Sequence, residues 1–117
     1  MNLIKRATEI CSRLKIDPDD LVRCNDLYDS IMGESVMIGT VLLSKNKDGA
    51  DVYTIYLTGG WHKQYYCRGQ IDMVRIIRDM SKNSMKPKVI ADILGISTEQ
   101  ISSIFISNPN NIKKVGK

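Results

Sequence analysis

Apolar positions along the chain change their period twice, and each change marks a predicted boundary. Leu3, Ile4, Ala7, Ile10, Cys11 and Leu14 recur every three or four residues, so residues 3–16 read as an amphipathic helix. Lys5, Arg6, Arg13 and Lys15 lie off that face. A second helix is expected next. Asp17 is placed as its N-cap, Pro18 occupies the first helical position, and Asp19 and Asp20 suit the positive end of the dipole. Ile16 and Leu21 have the spacing of a hydrophobic staple. Leu21, Cys24, Leu27, Tyr28 and Ile31 continue the apolar face, and Gly33 ends it.

From there the pattern becomes extended. Residues 35–43 are rich in Val, Ile and Leu, as in a strand buried on both faces. Asn46-Lys47-Asp48-Gly49 reads as a turn, and residues 52–58 as a second strand. Gly59-Gly60 is a two-residue hairpin signal, followed by a third strand over 61–68. That turn sets Val52 opposite Cys67, Thr54 opposite Tyr65 and Tyr56 opposite Lys63. The expected sheet is a three-stranded antiparallel meander. Gly69 interrupts it, and residues 70–82 return to a helical period through Met73, Ile76, Ile77 and Met80.

Residues 87–104, PKVIADILGISTEQISSI, are the most specific stretch. Ala91 stands four residues before Gly95, Ile96 follows the glycine, and Ile101 and Ile104 come five and eight residues after Ile96. A small residue at 91 allows close helix crossing, and Gly95 suits a left-handed turn between helices. Ser97 and Gln100 are spaced as a capping box. This pattern resembles the helix-turn-helix of bacterial and phage DNA-binding regulators, over about twenty residues, or roughly forty with the preceding helix. The resemblance is to a module and implies a tri-helical bundle over 70–108 that reads the major groove with helix 98–106. Ser97, Thr98, Glu99, Gln100, Ser102 and Ser103 would then face bases, with Gln100 suited to adenine and Glu99 to cytosine. Lys82, Lys86, Lys88, Lys113 and Lys114 would contact phosphates. Helix 98–106 contains no Arg or Lys, a departure from the commonest guanine readers.

Charge strengthens the reading. Residues 1–69 hold nine basic and nine acidic side chains, whereas residues 70–117 hold eight basic and four acidic, so all of the net +4 lies in the second half. At 117 residues the chain fits one compact domain, or one small domain with a helical appendage. Its longest apolar runs are too short to cross a bilayer, and its early charges do not fit a signal peptide, so a cytoplasmic protein is expected. Cys11, Cys24 and Cys67, odd in number and scattered, suit a reducing compartment. With His62 they match no zinc-module spacing, and no phosphate loop, dinucleotide fingerprint or nucleophile elbow occurs. Neither a catalytic residue nor a cofactor is therefore expected.

The sequence thus predicts an α+β protein: two N-terminal helices, a three-stranded meander and a C-terminal helix-turn-helix bundle. Residues 1–68 are assigned to dimerisation or partner contacts, 70–108 to double-stranded DNA, and 109–117 to a basic tail. The competing expectation is an adaptor that docks on polymerase or a host regulator. It would use the bundle and the aromatic hairpin of Tyr53, Tyr56, Trp61, Tyr65 and Tyr66.

Overall fold

The computed structural model describes residues 2–106. They belong to two compact units, Met1–Arg68 and Gly69–Lys117. The first opens with helix α1 (Leu3–Leu14), whose N-terminus is capped by the Asn2 side chain accepting the Lys5 N–H. The helix ends at Lys15, in the left-handed region, with its N–H on the Cys11 carbonyl.

The second helix expected from Asp17 does not form. Asp17 does accept the Asp19 N–H, and Pro18 does start a turn, but these groups complete only a single 3-10 turn, Pro18–Asp20. The next residues form strand β1 (Leu21–Ile31), paired antiparallel with strand β2 (Glu34–Lys45) from Leu21 opposite Ser44 to Ile31 opposite Glu34. Met32 and Gly33, at φ 52° and 81°, make the two-residue connection. Two positive φ values in succession are what a hairpin needs to follow the right-handed strand twist. Gly33 therefore turns a hairpin instead of ending a helix.

Long-range pairing explains the difference. Strand β2 is apolar on both faces and offers hydrogen bonds along both edges. Satisfying them outweighs a helix that is favoured only by its cap and a three-to-four spacing. The strand form also gives Asp26 its partners, as described below.

Strands β3 (Asp51–Leu57) and β4 (His62–Cys67) complete a sheet of order β1-β2-β3-β4. The sheet is an antiparallel meander of four strands, not three. Its last hairpin also differs from expectation. Val52 pairs with Tyr66, Tyr53 with Tyr65, Thr54 with Gln64 and Tyr56 with His62, one residue away from the predicted register. The turn holds three residues, with Gly60 at φ 93° donating its N–H to Leu57 O. A one-residue change in loop length moves every cross-strand partner.

Helix α1 lies on one face of this sheet. Ile10, Cys11 and Leu42 form the buried centre, with Leu14, Ile16, Leu21, Cys24 and Tyr56 around them. Burial pushes the Cys11 thiol up from its ordinary value, helped by Cys24 and Asp17. Beside this cluster Arg6 donates to one oxygen of Asp26, and Thr40 Oγ1 donates to the other at 2.9 Å. The Arg6 and Asp26 side chains keep 22% and 16% of their exposure, so the pair is largely withdrawn from water. Pairing shifts by one residue between Leu27 and Tyr28, leaving Ile38 as an extra residue on β2. Next to that bulge, Gly39 runs against β3.

The second unit comprises helices α2 (Gln70–Lys82), α3 (Pro87–Leu94) and α4 (Thr98–Ile106), each in contact with the other two. Val74, Ile77 and Met80 of α2, Ile90, Ile93 and Leu94 of α3, and Ile101 of α4 are buried. Among the described residues, no helix is long and apolar enough to cross a membrane. The expected tail over 109–117 lies outside the described residues.

Gly39 supplies the first test. A Cβ at this position would stand 2.5 Å from the Tyr56 carbonyl oxygen and 2.9 Å from a Leu57 methyl. The nearer atom is backbone of the paired strand and cannot simply rotate away. Gly39→Ala should therefore cost about 1–3 kcal/mol in urea unfolding, as overpacking does. An unchanged midpoint would show that β2 and β3 are not this close.

Candidate nucleic-acid interface

Helix α3 begins after Lys86, with Pro87 in its first turn. It ends at Gly95, whose φ of 70° is the left-handed value that a glycine adopts without penalty. The N–H groups of both Gly95 and Ile96 point to the Ala91 carbonyl. This compact exit leaves two residues, Ile96 and Ser97, before α4.

The start of α4 is reciprocally capped. Ser97 Oγ accepts the Gln100 N–H at 3.1 Å, and Gln100 Oε1 accepts the Ser97 N–H at 2.8 Å. Two N–H groups that the helix cannot satisfy internally are thus paired. The arrangement changes what Gln100 offers to a ligand. A two-point contact with adenine needs both the amide oxygen and the amide nitrogen. Here the oxygen already serves the cap, so only the NH2 group remains for a partner unless the box opens.

Of the other predicted reading residues, Glu99, Ser102 and Ser103 are exposed and Thr98 is half-buried. Thr98 Oγ1 donates to Glu99 Oε1 at 3.1 Å. The outward surface of α4 is therefore polar and short, with much of its hydrogen-bonding capacity engaged locally. Among the predicted phosphate contacts, Lys82, Lys86 and Lys88 are exposed, whereas Lys113 and Lys114 lie outside the described residues. Residues 70–106 contain five basic and four acidic side chains, a net of +1, so most of this half's excess charge belongs to residues 107–117.

One exposed basic residue on this unit stands outside the predicted set. Arg75 is exposed on α2, seven residues before Lys82 and hence on the same side of the helix. The seven-residue spacing of Arg75 and Lys82 is the sequence signal for this side, opposite in kind to the apolar period that marks the helix.

In the first unit the aromatic hairpin does not present one stacking platform. Tyr53 and Tyr65 face each other across the strands and are buried, and burial pushes the Tyr53 phenol up from its ordinary value. Tyr56 stacks on His62 with ring centres 5.6 Å apart. Only Trp61 and Tyr66 of the five rings are exposed. Among the described residues, no three or more His, Cys, Asp or Glu side chains gather as metal ligands. The sequence matches no family model, and comparison with curated proteins and with solved structures gives no match.

The cap can be tested directly. Ser97→Ala should cost about 1 kcal/mol of stability, and Gln100→Ala should cost less once Ser97 is already Ala. Chemical denaturation of the two single variants and the double variant measures the coupling. Strictly additive losses would mean that the box does not hold the helix start in solution.

Proposed function

We propose that the Gly69–Lys117 unit is a helix-turn-helix module that binds double-stranded DNA. The chain is read as a small cytoplasmic transcription regulator of bacterial, phage or plasmid type. The observation that carries this reading is the α3–Gly95–α4 connection, in which a left-handed glycine and a two-residue link present a capped, polar helix. Exposed Lys82, Lys86 and Lys88 support it as phosphate contacts, together with Arg75. Glu99, Ser102, Ser103 and the Gln100 NH2 group supply the base-edge contacts. Affinity then comes mainly from phosphates, with modest direct readout.

Association of two copies through residues 1–68 complements this weak readout, because two half-sites add their contacts. Strand β2 pairs with β3 only from Gly39 onward, so the β1–β2 hairpin extends beyond the third strand. That extension exposes Ile31 and Val36 on one face, Tyr28 on the other and Met32 at the turn, apolar groups suited to contact with a second copy.

A protein-docking adaptor is the second reading, favoured by the near-neutral charge of residues 70–106. Salt response separates the two. The full chain should bind mixed duplex DNA with a slope of log affinity against log salt of about −0.9 per phosphate neutralised. Lys86→Ala with Lys88→Ala should flatten the slope by about two per copy and weaken all sequences alike. No measurable binding at low salt would overturn the DNA reading. Sedimentation of the same sample as a monomer at micromolar concentration would overturn the dimer alone.

A further inference from the structure

The first unit contains a cleft of about 210 Å³ between α1 and the sheet. Arg6, Glu9, Ile10 and Arg13 line it from the helix, spaced to fall on one face, while Thr40 and Tyr56 are among the lining residues of the sheet. We propose that this cleft binds a small organic carboxylate that also carries a hydrogen-bond donor. The inference is independent of whether the second unit binds DNA.

The two arginines have different duties. Arg6 is committed to Asp26, whose second oxygen is taken by Thr40, so this end of the cleft is a neutralised, fixed floor. Arg13 is exposed and donates through Nη1 to the Tyr56 hydroxyl at 2.6 Å, with its guanidinium 5.9 Å from the centre of that ring. Among the described residues no carboxylate reaches ion-pair distance of Arg13. A guanidinium fork held by one phenol retains donors that suit a planar carboxylate. Its ring contact keeps it pre-oriented, which lowers the ordering cost of binding.

Glu9 sets the rest of the ligand. It stands between the two arginines on the helix, is exposed, and forms no ion pair with Arg13 despite the four-residue spacing. A carboxylate there accepts from a ligand hydroxyl or amine. It also repels a second negative charge, which selects a monoanionic carboxylate over a phosphate dianion. Ile10 and Leu57 supply apolar walls. Seven helical residues separate Arg6 from Arg13, a span of about 10 Å along the axis. The volume of about 210 Å³ is more than ten times the roughly 10–15 Å³ that a single water needs on the same measure, enough for a hydroxylated aromatic acid.

Calorimetry on the full chain, with 4-hydroxybenzoate as the probe, tests the proposal. The expected result is saturable binding at millimolar concentration or tighter. The neutral 4-hydroxybenzamide and inorganic phosphate should each bind at least about tenfold more weakly, the loss of one charge-assisted contact. Arg13→Gln should weaken 4-hydroxybenzoate by about tenfold, and Arg13→Lys, which keeps the charge and loses the fork, by less. Glu9→Gln should narrow the preference for 4-hydroxybenzoate over benzoate. Either absence of binding by 4-hydroxybenzoate, or binding that Arg13→Gln and Arg13→Lys both leave unchanged, overturns the proposal.

Discussion

Asp26 joins the helix to the sheet. Its carboxylate takes a hydrogen bond from Arg6 on α1 and another from Thr40 on the neighbouring strand. A carboxylate withdrawn from water is costly unless such partners are present. The same requirement restricts the alternatives. A one-residue slip of β1 would turn Asp26 to the other face, away from Arg6. Without α1 in place, the pair would lose its cation. Helix position and strand register therefore depend on one another, and the cleft beside α1 exists only because both are set.

The legible parts of the fold are those in which local and distant requirements agree. Helix α2 coincides with a strong apolar period over 70–82, and α1 combines such a period with an Asn2 cap. Residues 17–31 show the opposite case. Asp17 and Pro18 are good helix starters, and a 3-10 turn satisfies them completely. The three-to-four spacing of Leu21, Cys24, Leu27 and Ile31 is compatible with a helix, but pairing to β2 decides the outcome. The hairpin turn there has Met32 in the left-handed region, where Asn or Gly is the usual sign, so the sequence carried little warning. The Gly59-Gly60 pair suggests a two-residue turn, but only Gly60 adopts a positive φ and the turn that forms holds three residues.

The same tension appears at the candidate interface. Ser97 and Gln100 were legible as a capping box, and Gln100 was also assigned to bases. One amide oxygen does not serve both duties at once. This moves the weight of the proposed DNA contact from base edges to the lysines and to association of two copies, while the net charge of +1 over 70–106 limits what the lysines of the three helices supply. Sequence spacing locates such residues, but only geometry shows which of their atoms are already engaged.

The dependence of the first unit on Asp26 is best measured by a double-mutant cycle with Arg6→Gln and Asp26→Asn, read by urea unfolding of the full chain. Each single change strands a largely buried polar partner, so each should cost about 1–3 kcal/mol. The double variant should be less destabilised than the sum, by about 1 kcal/mol or more. Small, additive losses of a few tenths each, as for an exposed surface pair, would contradict the account.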